Sequence, residues 1–477
     1  LWFNYLKIAV SWRELDSMTQ RVGELLSLFA QDVIPWKLVE CAGELLSWAK
    51  ADLNKAKKQL YKRHLIQRVE EKEEKESCYK IHPLIRQFLQ AKRETSQQPD
   101  ELKQAFASAL IAIAKKIPDS PTREFIESVQ DIVPHLTEVA QNLIDALQDE
   151  DLIWVFVGLG RFYQGQGLYA LAEPWYEQCL KVVQARLGEQ HPDVATSLSN
   201  LASLYYSQGR YDEAEPLLLQ ALELTKRLLG EQHPDVATSL NNLASLYYSQ
   251  RRYDEAEPLF LQALELYRHL LGEEHPHVAS SLNDLASIYY SQERYNEAEP
   301  LFLQALELRK RLLGEQHPHV ATSLNNLASI YDSQERYNEA EPLFLQALEL
   351  TKRLLGEQHP DVAHSLNSLA SFYKSQGRYN QAEPLYVQAL ELRKRLLGEQ
   401  HPNVAQSLNN LANLYKSQRR YNQAEPLYQE ALEICHHVLG DNHPNTASVR
   451  ENLENLRVEV SASNSWWGKL LKFLRGS

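Results

Sequence analysis

Over residues 233–274 the apolar positions recur with the period of a helix, twice. Leu240, Leu243, Ala244 and Tyr247 fall at i, i+3, i+4 and i+7, which puts them on one face of a first helix. Ala256, Leu259, Phe260, Ala263, Leu264 and Leu266 form a second such face. Residues 249–253 between them leave room only for a tight turn, so the two helices are predicted to lie antiparallel. Gly272 is placed to end the second helix at positive φ, and Pro276 fits the first turn of the next, where a missing N–H costs nothing.

The pattern returns every 42 residues, marked by His-Pro pairs at His191, His233, His275, His317, His359, His401 and His443. A tandem unit of about 20–50 residues that cannot bury its own apolar face stacks on its neighbours as a solenoid. Each histidine stands before a predicted helix and is expected to cap it, because no thiol or carboxylate completes a metal site around it. Asp212-x-x-Glu215 ahead of Pro216 reads as a capping box with the proline near the first turn. A degenerate copy precedes the six regular repeats that begin at His191, His233, His275, His317, His359 and His401. Gly158, Leu159, Gly160 and Tyr163 are in frame with Asn200, Leu201, Ala202 and Tyr205, and its extra aromatics are expected to pack on the helices before it. The pair at His443 opens one last helix, to about Val458, that covers the final stripe.

Upstream the pattern changes. Val22, Leu25, Leu26 and Phe29 make a helical stripe; Pro35 starts a short helix; residues 51–63 make a third, basic through Lys55, Lys57, Lys58 and Lys62. Residues 64–70 and 78–82 alternate as two strands joined by a charged tip, and His82-Pro83-Leu84 opens a helix to Lys92. Three helices, a two-stranded wing and a closing helix describe a small winged-helix (α+β) domain. The expected division is 1–97 winged helix, 98–148 linking helical hairpins, 149–460 solenoid, and 461–477 a basic-aromatic tail. The apolar start at Leu1, with Met18 the single methionine, reads as a piece of a longer polypeptide.

Two resemblances attach to these residues. Leu-Ala-x-x-Tyr in the first helix and Ala-x-x-x-Phe-x-x-Ala in the second resemble the tetratricopeptide (TPR) pattern. HPDVATSLNNLA and YDEAEPLFLQALEL are similar to the repeats of kinesin light chains and their prokaryotic relatives, over about residues 191–457. The resemblance implies an all-α fold, a right-handed superhelical TPR solenoid whose first helices line a concave, peptide-binding face. LLSLFAQDVIP and YKIHPLIRQFL resemble the winged-helix region after the nucleotide-binding domain of signal-transducing STAND (NB-ARC type) ATPases. There a Met-His-Asp motif stands where this chain has Ile81-His82-Pro83, so the resemblance makes His82 a contact to a nucleotide β-phosphate. Pro83 in place of Asp departs from the motif, and an N-cap before Pro83 is the alternative reading of His82. No phosphate-binding G-x-x-x-x-G-K-[ST] is present, so such an ATPase domain would lie upstream and touch this chain intramolecularly.

Composition narrows the chemistry. Net charge is −13. Residues 1–100 hold 17 Lys and Arg against 14 Asp and Glu, so the solenoid is acidic and a poor general partner for nucleic acid. Cys41, Cys78, Cys179 and Cys435 form no CxxC, which fits reduced thiols and a cytoplasmic protein with no metal. Nothing resembles a nucleophile elbow or a Gly-rich phosphate loop, and repeats spread residues evenly where catalysis needs one constellation. The expectation is a non-catalytic protein-interaction scaffold without a cofactor, or the regulatory and sensor half of a STAND ATPase. A kinesin subunit is disfavoured because no heptad run precedes the repeats.

On the first helices an asparagine recurs: Asn241, Asn283, Asn325, Asn367 and Asn409. Each amide offers two donors and an acceptor, suited to an extended peptide backbone; bracing of the next repeat is the alternative. Seven residues on, Tyr206, Tyr248 and Tyr290 give way to Asp332, Lys374 and Lys416. That position would select side chains, favouring a peptide apolar at one end and acidic at the other, or would be plain solvated surface. In the tail, residues 466–475 place apolar and basic side chains on opposite sides, as an interfacial helix or an extra docked turn would.

Overall fold

The computed structural model describes residues 2–69, 77–96, 99–119 and 121–464. The chain divides into two compact units, Leu1–Gly165 with Ala170–Gly188, and Gln166–Tyr169 with Glu189–Ser477.

In the first unit come α1 (Trp2–Arg13), α2 (Ser17–Leu26), β1 (Ile34–Pro35), α3 (Trp36–Leu45), α4 (Lys50–Lys62), β2 (Gln67–Val69), β3 (Cys78–Lys80) and α5 (Pro83–Glu94). The stripe expected on α2 is its core face: Val22, Leu25 and Leu26 are fully buried. The sheet differs from a simple hairpin. Its order is β1-β3-β2, all antiparallel, because Ile34 pairs with Tyr79 on the free side of β3. Two residues are too few to show an alternation, and Pro35 therefore ends a strand while the helix begins at Trp36. The charged tip expected at 70–76 lies outside the described residues, as does the tail at 466–475.

The linking helices α6 (Pro99–Ala114), α7 (Arg123–Val129) and α8 (Val133–Asn142) follow, then α9 (Leu152–Gln164) and α10 (Tyr169–Leu187). His135 of α8 is wholly buried; its Nδ1 accepts the Ala30 N–H at 3.1 Å and its Nε2 donates to the Val33 carbonyl at 2.9 Å. Burial pushes its pKa down to about 4, so the ring is neutral and can hold both bonds. The unit does not stop at the expected boundary of 148. A Cβ on Gly158 of α9 would sit 2.8 Å from the Ala114 Cβ of α6, so this glycine lets the degenerate copy close onto the linking helices.

The second unit contains six hairpins: α11 (Pro192–Ser207) with α12 (Tyr211–Leu229), α13 (Pro234–Ser249) with α14 (Tyr253–Leu271), and α15 (Pro276–Ser291) with α16 (Tyr295–Leu313). Then come α17 (Pro318–Ser333) with α18 (Tyr337–Leu355), α19 (Pro360–Ser375) with α20 (Tyr379–Leu397), α21 (Pro402–Ser417) with α22 (Tyr421–Leu439), and the final α23 (Pro444–Asn464). The fold is all-α, a TPR solenoid, apart from the small sheet of the first unit. Each His-Pro histidine is an N-cap: Nδ1 of His233 accepts the Asp235 N–H at 3.2 Å, and His191, His275, His317, His359, His401 and His443 repeat the bond. Gly272 ends α14 at φ 85°.

Leu240, Ala244, Ala256, Phe260 and Ala263 are each no more than 3% exposed. Burying one such Leu or Phe side chain contributes about 2–3 kcal/mol, so stacking sets the stability. Polar clamps set the register. Arg252 lies 4.0 Å over the Tyr247 ring and pairs with Glu255 of its own repeat and Glu215 of the one before, both at 2.7 Å; Tyr247 also donates to Glu215 at 3.0 Å. Arg294 pairs in the same way with Glu257 and Glu297, and Arg336 with Glu299 and Glu339. This corrects the capping-box reading. Arg210 is the N-cap residue of α12 and makes no side-chain cap bond, Pro216 stands at the sixth helical position, and Glu215 faces the next repeat. Among the described residues no helix is long and apolar enough to cross a membrane.

The turn after α11 also meets the start of α23. A Cβ on Gly209 would lie 2.8 Å from His443 and 2.9 Å from Pro444. At the same register Arg251, Glu293, Glu335 and Arg419 hold the same positive φ, so the glycine at 209 answers to the close approach rather than to the turn. Gly209→Glu is expected to cost about 1–3 kcal/mol through overpacking, read as lost hydrogen-exchange protection at the start of α23. Gly377→Glu, at a position with nothing within 4 Å, should leave protection unchanged; equal effects at both sites would contradict the contact.

Candidate functional site

The first helices present one register to solvent throughout: Thr196, Thr238, Ser280, Thr322, His364 and Gln406 are all exposed. Most of the flanking positions are packed, since Val194, Ala195, Leu198, Leu201 and Ala202 of α11 and their copies form the core. A polar line thus crosses the six hairpins.

The asparagine ladder sits beside this line and is turned largely toward the neighbouring repeat. Asn325 and Asn367 are buried, 4% and 8% exposed, while Asn241, Asn283 and Asn409 are half-buried. Nδ2 of Asn241 and Asn325 donates to Ser281 and Ser365 of the next repeat, at 3.4 and 3.3 Å. Oδ1 of Asn283, Asn367 and Asn409 accepts from Asn326, Asn410 and Asn452, at 2.7, 3.5 and 3.0 Å. Bracing therefore accounts for the ladder, and the expectation of amides left open to a peptide is corrected at Asn325 and Asn367. Burial of a polar side chain demands a partner, and the next repeat is the nearest source.

Two acceptors break the pattern. Oδ1 of Asn241 and of Asn325 is buried with no partner among the described residues. The donor position 43 residues on is Asn in the paired copies. After Asn241 it is Asp284, which ionised has no proton to give. After Asn325 it is Ser368, whose hydroxyl donates instead to His364 O at 3.2 Å.

The variable position is also partly internal. Tyr206, Tyr248 and Tyr290 share hydrogen bonds with Ser249, Ser291 and Ser333 of the next repeat at 2.7–3.0 Å, yet Tyr206 remains 38% exposed. Asp332 accepts from Ser375 at 3.0 Å. Of the two expected cations, Lys416 pairs with Glu459 at 3.1 Å, and Lys374 is half-buried, which pushes its pKa down from the usual lysine range. His82, in the first unit, is the exposed N-cap of α5, its Nδ1 accepting the Leu84 N–H at 3.2 Å.

One register went unremarked in the sequence. Toward the end of the second helices it runs Thr225, Tyr267, Arg309, Thr351 and Arg393 in α12 to α20, with Cys435 at the same place in α22, changing while its surroundings repeat. A cavity of about 300 Å³ opens beside Thr225 and one of about 200 Å³ beside Thr351. The signal was available as variation at a buried position.

Asp284 gives a pH test. Removal from water raises its carboxyl to about 6, against partial compensation from the Asn283 side chain and Arg309. A carboxyl raised on folding stabilises fully below about pH 4, and that contribution is lost as pH rises through 6. Asp284→Asn should therefore slow hydrogen exchange in α15 at pH 7.5 by about 3 kcal/mol of opening free energy and leave pH 4 nearly unchanged. A gain of the same size at both pH values would show that the carboxyl's ionisation is irrelevant.

The sequence profile of the tetratricopeptide repeat family matches residues 151–227, 193–269, 235–311, 277–353, 333–383, 361–435 and 408–459. No curated protein matches the chain. Among solved structures, BtubC (BKLC) from P. vanneervenii is 27% identical, over 52% of this chain and 92% of its own, with a TM-score of 0.40. The nearly identical TPR-like repeats of a Podospora anserina protein described as a kinesin light chain are 28% identical, over 43% of this chain and 97% of theirs, with a TM-score of 0.36. A STAND protein with a tetratricopeptide repeat sensor from Pyrococcus horikoshii is 16% identical, over 91% of this chain and 65% of its own, with a TM-score of 0.40. Overlapping matches from residue 151 to 459, more than half of the sequence, coincide with the stacked hairpins, and the chain belongs to the tetratricopeptide repeat family.

Proposed function

We propose that the chain is a non-catalytic protein-interaction scaffold that holds an extended polypeptide segment along the face of α11, α13, α15, α17, α19 and α21. The observation that carries this reading is the exposed register Thr196 to Gln406, which offers polar side chains at regular intervals on an otherwise packed surface. Asn241, Asn283 and Asn409, still half-buried, flank that line, and Tyr206, Tyr248 and Tyr290 give it aromatic area at low entropic cost. Lys374 and Lys416 would meet acidic residues of the segment only after giving up burial and the Glu459 pair. The widely spaced Cys41, Cys78, Cys179 and Cys435, with no CxxC among them, fit a reducing, cytoplasmic setting.

A second reading, the sensor half of a STAND ATPase, is favoured by the element order of residues 17–94: helix, short strand, two helices, two strands, helix. That order suits a winged helix, and the exposed His82 at the head of α5 would then be offered to a nucleotide or to an upstream domain.

The test is a random peptide library displayed against the full chain, with affinities of the selected peptides measured by fluorescence anisotropy. Replacing Tyr206, Tyr248 and Tyr290 together by Ala should weaken binding at least about tenfold, equivalent to about 1.4 kcal/mol. Selected peptides that bind this variant undiminished would place capture elsewhere.

A further inference from the structure

The register Thr225, Tyr267, Arg309, Thr351, Arg393 faces the junction between one hairpin and the next, and all five side chains are at most 8% exposed. At two junctions the chain fills this space with its own arginine. Nη1 of Arg309 donates to Ser323 Oγ at 2.7 Å and to the His319 carbonyl at 3.3 Å. Nη1 of Arg393 donates to the equivalent Ser407 Oγ at 3.0 Å, to the Asn403 carbonyl at 2.9 Å and to Gln406 Oε1 at 3.1 Å. At a third, Tyr267 stacks on His277 at 4.9 Å and shares a hydrogen bond with Thr238 at 2.8 Å. Burial lowers Arg393 to about 10, which still leaves it cationic at neutral pH, and the hydroxyl, carbonyl and amide oxygens around it are what hold the guanidinium.

Where the register holds threonine the space is open. Thr225 and Thr351 turn their hydroxyls back to the Ala221 and Ala347 carbonyls of their own helices, and Thr351 also shares a 3.4 Å hydrogen bond with Ser365 Oγ. The cavities of about 300 and 200 Å³ remain beside them, lined by Ser239 and Ser365, the counterparts of Ser323 and Ser407. A second residue changes in step. Position 319 is His and 403 is Asn beside the internal arginines, but the open junctions have Asp235 and Asp361. Both carboxylates line their cavities and are more than half exposed. At the Thr351 cavity a buried acceptor is also available: Asn325, 96% buried, lines it with its Oδ1 unpartnered. A buried acceptor left without a hydrogen bond costs about 1–3 kcal/mol.

We propose that the Thr225 and Thr351 cavities are sockets for two arginine side chains of the bound polypeptide, three repeats apart. This rests on the reading of the first-helix face as a peptide-capturing surface and adds its specificity. Each socket keeps the serine position that receives Arg309 and Arg393, exchanges the internal guanidinium for an external one, which would displace the bonds Ser239 and Ser365 now make within the stack, and adds a carboxylate to neutralise it. Glu, Asp or apolar side chains would leave Asp235 and Asp361 uncompensated, so selection works by charge as well as by shape.

The experiment uses the full chain with labelled threonine methyl groups and follows Thr238 and Thr322, which line the two cavities, by NMR. The probes are N-acetyl-arginine methylamide and its neutral analogue N-acetyl-citrulline methylamide. The arginine probe should shift both methyl signals saturably, with at least about tenfold tighter binding than citrulline. In Thr225→Arg/Thr351→Arg, which copies the arginine junctions, its effect should vanish from both sockets. Asp235→Asn/Asp361→Asn, changing two exposed side chains, should weaken it without altering the fold. No shift, or equal shifts from both probes, overturns the sockets. Library-selected peptides that bind wild type and Thr225→Arg/Thr351→Arg equally would also overturn them while leaving peptide capture standing. Shifts by the arginine probe with no peptide ever selected would uphold the sockets and remove peptide capture.

Discussion

A helical hairpin of this length has two apolar stripes and one partner helix, so part of each stripe stays wet until another hairpin covers it. Everything in the second unit follows from that shortage. Leu240, Ala244, Phe260 and Ala263 reach near-zero exposure only because copies stand on both sides. The final α23 supplies cover for the last copy through Leu453 and Leu456. The polar parts are secondary in energy and primary in register. An exposed ion pair is worth about 1 kcal/mol or less, yet an arginine held over a tyrosine ring between two carboxylates fits at one offset only, and it recurs at every junction from Arg252 to Arg336.

Stacking also decides which side chains remain for a ligand. Asparagine on the first helices is close enough to the next repeat for the two to satisfy each other, and the molecule takes that solution wherever the register allows. Junctions differ in what the second helix sends into them. When Arg309 or Arg393 takes the serine hydroxyl, Asn283 or Asn367 turns to the following asparagine; where the shorter threonine stands, a cavity is left. Identity among the copies thus builds the scaffold, and the few departures from identity give it individual places.

The hairpins were legible because period, turn length and helix ends all agree: the stripe at Leu240, the turn at 249–253, His233 as cap and Gly272 as stop each occur where the pattern puts them. The capping box failed because Asp212 and Glu215 satisfy a local motif and a long-range partner equally well on paper, and Arg252 is 37 residues away from the glutamate it claims. The two-residue strand at Ile34 was invisible for want of an alternation, and the extent of the first unit was hidden in the contact of Gly158 with Ala114. The ladder was read as facing outward since spacing gives the face of a helix and not how near the next one stands. Asn325 and Asn241 look identical to Asn283 in sequence; what separates them is the residue 43 positions later.

Tandem arrays ordinarily tolerate gain or loss of a unit, because every copy answers only to its two neighbours. The meeting of Gly209 with His443 and Pro444 withdraws that tolerance here. One more duplication would carry the last histidine past the glycine and strip both surfaces of their cover; one deletion would fall short. Length drift, the usual evolutionary currency of such genes, is therefore checked by pitch, and sequence change within the copies is the route left open for acquiring a new partner.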